Sequence, residues 1–261
     1  MKGVAVFVQV LCYLAVTYAW KCVEAPQQYP AAQIDAGQGM VVMTDQQNQA
    51  YFLSGSTWYK LGTVKLQHVS VGPAGIWGVD TLNKVYKYVA GDFVPSEGLA
   101  MKQVDAGGLG QVVGVSFTSS NNTYCLQSTI ASSYSQDSSL YWNSLSSSMI
   151  YYSCGPLYGC WGTDSSDKIY VTQTFLPNTC EASGWLVVEG AARMVEVGTD
   201  GTVFVLNAGG DVYLRNSISS STPQGSSWTR IPMCFTIKHI TYDLGQLWVV
   251  TTGGIILKCS Q

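Results

Sequence analysis

HVSVGPAGIWGVDTLNKVYK, residues 68–87, decides the fold. It opens with a polar–apolar alternation that runs into Gly72 and continues with a second apolar strand around Trp77. A short polar turn and a third strand carrying Tyr86 complete it. Five other segments repeat the pattern: QIDAGQGMVVMTDQQNQAYF from Gln33, QVDAGGLGQVVGVSFTSSNNTYCL from Gln103, YYSCGPLYGCWGTDSSDKIYV from Tyr151, MVEVGTDGTVFVLNAGGDVYL from Met194 and HITYDLGQLWVVTTGGIILK from His239. The equivalent positions Gly37, Gly72, Gly107, Gly155, Gly198 and Asp243 stand 35, 35, 48, 43 and 45 residues apart. Between copies, Trp58, Trp142, Trp185 and Trp228 each open what reads as a fourth strand. Four short strands in about forty residues, six times over, are the arithmetic of an all-β, six-bladed β-propeller, because no such unit buries both faces alone. No segment after residue 19 has a good helical period with caps, so no helix is expected there.

Composition agrees with many stacked strands. Only 11% of the 261 residues are charged and 47% are hydrophobic, against about 25% charged in an average domain. That is too apolar for disorder. A net charge of −3 leaves no basic footprint for nucleic acid, and two histidines make a His-rich metal site unexpected.

Residues 1–19 read as a signal peptide: Lys2, an apolar run over 3–16, then small residues around Thr17 and Ala19. The run is shorter than the ~20 residues of a spanning helix, and no later segment is long enough, so no membrane span is expected. The remaining propeller, residues 20–261, would be secreted to the extracellular side. Removing Cys12 leaves seven cysteines, which oxidising surroundings would pair, with one over. Cys22 precedes the first repeat and Cys259 lies in the last strand of the sixth, so a bond between them would clasp the N-terminus onto the C-terminus. The alternative is that each pairs elsewhere. Asn121-Asn122-Thr123 is a standard glycosylation sequon.

The segment Gly75-Ile76-Trp77-Gly78-Val79-Asp80, with its flanking strands in six copies, resembles the tectonin repeat, and the chain from residue 20 to 261 resembles the fish-egg lectins of that family. The resemblance implies glycan partners, N-acetylglucosamine and bacterial lipopolysaccharide, with no required cofactor. Calcium has been associated with such relatives. It also implies the pairs Cys22–Cys259, Cys125–Cys180 and Cys154–Cys160. The family's partner for Cys234 is here Thr251, which makes Cys234 the odd thiol, free or linking a homodimer.

Three columns of the repeat carry the chemistry. His68 and His239 share theirs with Gln33, Gln103, Tyr151 and Met194, a mixture that reads as structural. The next-but-one column, Asp35, Ser70, Asp105, Ser153, Glu196 and Thr241, sets three acids on the innermost strands. Asp35, Asp105 and Glu196 are channel candidates for a cation, or merely its hydrated lining. The column Asp45, Asp80, Ser116, Asp164, Asn207 and Thr251 opens hairpins on one rim. Asp45, Asp80, Asn83, Asp164, Asp167 and Asn207, with Trp58, Trp142, Trp185 and Trp228 as stacking faces, are the carbohydrate-binding candidates. The competing reading is that Asp and Asn are there to make the turns. The function expected is a lectin without catalytic residues. The alternatives are a secreted glycoside-processing enzyme, which needs two carboxylates in one cleft, or a structural, protein-binding propeller of an egg coat.

Overall fold

The computed structural model describes residues 20–118, 120–136 and 138–261; the expected leader, residues 1–19, lies outside them. The described chain is an all-β propeller. Four four-stranded antiparallel sheets are joined by one eight-stranded sheet. In the latter, the 16-residue strand Thr57–Gly72 serves two meanders: its first part pairs with Gln49–Ser54 and its second with Gly75–Asp80. Where six separate sheets were expected, two are fused, because the strand runs on through a register shift around Gly62 (φ 53°) and changes partner between Lys65, opposite Gln49, and Leu66, opposite Asp80. Lys21–Glu24 pairs with Ile256–Ser260, so the two ends of the described chain share one sheet. Cys22 is bonded to Cys259 across that pair, and Cys125–Cys180 and Cys154–Cys160 are also disulfides. Cys234 is exposed and lies outside these three bonds.

Burial follows position in the sheet. Val112–Ser116, Cys160–Thr163, Met194–Val197 and Val203–Leu206 are buried throughout, whereas outer strands such as Ser227–Ile231 are half open. A strand covered on both faces reads as a continuous apolar run, and one covered on a single face alternates. The core accordingly lies between neighbouring sheets: Trp77, Val79 and Val85 pack with Met101, Val104 and Leu126. Phe204 and Leu206 pack with Ile240 and Val249.

Two repeated devices hold neighbours together. First, the carbonyl of a left-handed turn residue accepts the amide that opens the next inner segment. These bonds run Asn48 to Leu66, Asn83 to Met101, Asn121 to Met149, Asp167 to Ala192, Gly210 to Ile237, and Gly254 back to Ala31, over 2.7–3.2 Å. The last returns to the first, so the set forms a ring. The φ values of these turn residues, 49° to 87°, favour Asn, Asp and Gly. Second, inner strands touch at the repeat glycines. A Cβ on Gly37 would stand 2.3 Å from the Val71 carbonyl oxygen, and one on Gly72 would stand 2.0 Å from that of Ala106.

One element was not expected: a six-residue helix, Ser128–Ser133, in the insertion of the third repeat. It lacks a side-chain N-cap and is too short to be stable by itself. Its other end is held from 44 residues away. The Lys87 Nζ donates to the carbonyls of Ala131 (2.7 Å), Tyr134 (3.0 Å) and Ser132 (3.2 Å) while lying over the Trp77 ring. Lys87 is 8% exposed, so these bonds offset the burial of its charge. Lys87→Met strips two buried acceptors, and a third that is partly buried, of their donor. It is expected to cost about 3 kcal/mol and to raise amide hydrogen exchange selectively over 128–134.

Candidate functional site

The rim carboxylates fold back onto their own turns. Asp45 Oδ1 accepts the amides of Gln47 and Gln49, and its Oδ2 accepts the Tyr51 hydroxyl. Asp80 does the same with Leu82, Lys84 and Tyr86, and Asp164 with Ser166, Lys168 and Tyr170. Asn207 Oδ1 takes the amides of Gly209 and Asp211. Partial burial works to raise the Asp164 carboxyl, but the two amides and the Tyr170 hydroxyl outweigh it and hold it low. Asn83 and Asp167 occupy the left-handed turn positions that stitch neighbours together. These six residues, expected as sugar contacts, are committed to turn geometry.

Of the four tryptophans, two are covered and two, Trp185 and Trp228, are half-buried. Trp58 and Trp142 are buried, and the Trp58 indole donates to the Pro26 carbonyl. Trp185 packs on Tyr152, with ring centroids 5.6 Å apart. Trp228 lies between Trp161 and the Arg215 guanidinium and donates to the Glu189 carbonyl. Asn121 of the sequon is half-buried in a turn, and Lys102 donates to its Oδ1.

The channel column is a belt of bonds from strand to strand. Asp35 Oδ2 accepts the Val71 amide at 2.6 Å, Ser70 Oγ that of Ala106, Asp105 Oδ1 that of Cys154, Ser153 Oγ that of Val197, and Thr241 Oγ1 that of Ala36. Glu196 breaks the pattern by accepting the Tyr151 hydroxyl at 2.7 Å. One layer away, the rings of His68, Tyr151 and His239 close a triangle with every centroid pair 6.2 Å apart. Among the described residues, no group of three or more His, Cys, Asp or Glu side chains could hold a metal ion.

Burial pushes the Asp105 carboxyl up to about 7, with the Asp35 charge adding to the effect and the amides of Cys154 and Gly107 opposing it. Burial first, and then Asp35 and Asp105, raise Glu196 well above the usual carboxylate range. Burial lowers His68 to about 4. The two kinds of group act oppositely. Asp105 binds its proton more tightly folded than unfolded, so its contribution is lost as pH rises from about 4 to 7. His68 binds its proton less tightly folded, so its contribution is lost as pH falls from 6.5 to about 4. Asp105→Asn keeps an acceptor for the Cys154 amide and removes the first trend. The variant is expected to be more stable than the parent above pH 7 by about 2 kcal/mol. Its denaturation midpoint should fall more steeply than the parent's below pH 6.5.

Open, concave surface lies elsewhere. One cleft of about 380 Å³ is lined by Trp20, Tyr158, Asp200, Asn216 and Tyr242 among others. By strand alternation it sits on the rim of the first-to-second-strand turns, opposite the rim of Asp45, Asp80 and Asp164. A second, of about 400 Å³, lies between Tyr141, Asn143 and Ser146 and the turn carrying Thr179 and Glu181. Tyr242 and Asp200 fall inside the sixth and fifth copies, but the cleft as a whole is not repeated from copy to copy. The one local signal for them is the Cys154–Cys160 interval, which carries Tyr158 in the fourth copy alone.

Inner strands stitched into a ring, carboxylates bonded to their own turns and three disulfides define a disulfide-fastened β-propeller. The tectonin domain model matches residues 30–252, and the chain belongs to the tectonin family. It is 40% identical over 159 residues to a fish-egg lectin of Cyprinus carpio, a match spanning 60% of this chain and 65% of that relative's length. In fold it is similar to virginiamycin B lyase from Staphylococcus aureus (TM-score 0.56, 11% identity, covering 93% of this chain and 99% of that one). It is also similar to a chain of a nidogen–laminin complex (TM-score 0.57, 8% identity, covering 82% and 86%). Both likenesses concern the fold alone.

Proposed function

We propose that the chain is a secreted lectin, binding glycans reversibly and without catalysis. The observation that carries this reading is tectonin-family membership together with 40% identity to a fish-egg lectin. In this reading the eight-stranded sheet counts as two blades and completes six. The strand Lys21–Glu24 and the Cys22–Cys259 bond act as the clasp of the ring. Residues 1–19 direct export, into surroundings that suit three disulfides. The ligands are N-acetylglucosamine and bacterial surface glycans such as lipopolysaccharide, met in the egg or in innate defence.

The absence of turnover is supported by where the channel acids lie. Glycoside hydrolysis needs two carboxyl groups flanking a bond that substrate can bring to them. Asp35, Asp105 and Glu196 are only 7%, 6% and 5% exposed and are bonded across the inner strands. The open clefts, by contrast, join aromatic faces to short polar groups, the division of labour of a small-ligand site. The test is a glycan array that includes N-acetylglucosamine termini and lipopolysaccharide, read with the full chain. Binding inhibited by free N-acetylglucosamine is expected, and a blank array from folded protein overturns the proposal.

A further inference from the structure

Resting on the lectin reading, we infer that sugar is bound at one asymmetric cleft per chain, where Tyr158 and Asp200 grip a single terminal N-acetylated hexose, and not at six equivalent rim sites. On the six-fold column each carboxylate already accepts two amides of its own turn and a tyrosine hydroxyl, which leaves about one of its four lone-pair sites. The cleft differs in every respect. Its parts come from the N-terminal edge (Trp20), the disulfide loop of the fourth repeat (Tyr158), a turn of the fifth (Asp200) and the inner strand of the sixth (Tyr242).

Tyr158 is held in a left-handed conformation, φ 63°, between the bonded cysteines Cys154 and Cys160. A bulky residue keeps such a backbone only where its surroundings impose it, and such positions cluster at ligand clamps. Its ring lies against Gly201, where an added Cβ would come within 2.7 Å of it. The turn beneath the aromatic face therefore has to be glycine. Beside it, Asp200 is exposed and half used: Oδ1 accepts the Thr202 amide at 2.9 Å and Oδ2 the Tyr242 hydroxyl at 3.1 Å. An ionised carboxylate has about four lone-pair sites, so two remain for adjacent sugar hydroxyls, with its orientation already fixed. The Trp20 ring is set edge-on against Phe204 and Tyr242. Leu214 and Ile218 in the same lining offer apolar surface for an acetamido methyl group.

Titration calorimetry of the full chain with N-acetylglucosamine and its β1,4-linked trimer tests this. One sugar per chain is expected. Tyr158→Ala and the isosteric Asp200→Asn should each weaken binding by about tenfold or more, through loss of a stacking face or of charge-assisted hydrogen bonds. Glu181→Gln, in the second cleft, should bind as the parent does. Should the parent bind while Asp200→Asn and Tyr158→Ala, both folded, bind equally well, the cleft assignment is overturned and the lectin reading stands. Loss of binding in Glu181→Gln alone moves the site to the second cleft and also overturns the assignment. A folded parent that binds neither sugar and leaves the array blank removes both.

Discussion

Gly72→Ala is expected to destabilise the protein by at least about 3 kcal/mol, the upper part of the range for overpacking. That is a drop of roughly 6–12 °C in Tm for a domain of this size. Gly72 has an ordinary backbone conformation, so alanine meets no dihedral strain there. In the unfolded chain alanine even brings a gain of about 0.4–1 kcal/mol by restricting alternatives. Sterics decide the sign. The new Cβ would stand 2.0 Å from the Ala106 carbonyl oxygen and 3.0 Å from the Gly107 Cα, both backbone atoms of the next inner strand. That strand is itself held by the Ala106 amide on Ser70 Oγ, so it has no soft direction in which to yield. Gly55 is the comparison. It lies at φ 60° with nothing within 4 Å of an added Cβ, so alanine there should cost only the left-handed penalty of about 1–2 kcal/mol. Urea midpoints of the two variants check the claim. Equal losses would mean that close approach of the inner strands is not what the repeat glycines serve.

The same contrast explains what was legible in the sequence. A column of glycines at regular spacing is visible because each copy meets the same obstacle, the backbone of its neighbour. Trp77 and Trp161 were legible as core because their column also accepts Val42, Val113 and Phe204. Asp45, Asp80 and Asp164 can be read two ways for a related reason. A carboxylate accepting amides two and four residues on, with a tyrosine hydroxyl six residues on, has the same residue types as a sugar site. Only the bond directions distinguish the two. The outer tryptophans begin exposed-looking strands, yet Trp58 is covered by the Pro26 segment, a contact 32 residues distant. The short helix escaped notice because its stability comes from Lys87, not from its own residues. The cleft around Tyr158 and Asp200 was hidden for the deepest reason. Trp20 and Tyr242, 222 positions apart by their numbers, become neighbours only when the ring closes.

Removing the Cys22–Cys259 bond, with Cys22→Ser and Cys259→Ser together, is expected to cost about 5 kcal/mol, the largest loss among the three disulfides. The reason lies in the unfolded state. Cys22 and Cys259 are 237 residues apart, and the entropy lost on cross-linking a chain grows with the logarithm of the loop, reaching about 5 kcal/mol at this length. Cys154 and Cys160 are 6 apart, for which the same relation gives only about 2 kcal/mol. Both bonds sit across paired antiparallel strands, so the strain and packing terms are similar and the difference isolates loop length. The docked end does not fall away at once in the double variant. Lys21–Glu24 still pairs with Ile256–Ser260, the Ala25 amide still reaches the Ile256 carbonyl, and the Gln27 side chain both donates to and accepts from Ile256. Far-ultraviolet dichroism should therefore be unchanged at low temperature, with the loss appearing in the denaturation midpoint. Hydrogen exchange should rise first along 256–260 and at the Ala31 amide, whose bond to Gly254 is the return link of the ring. If the two disulfide pairs prove equally costly to remove, the Cys22–Cys259 bond is a local staple and the closure proposed for it fails. A loss about twice that of the short loop identifies it as the bond that restrains nearly the whole chain in the unfolded state.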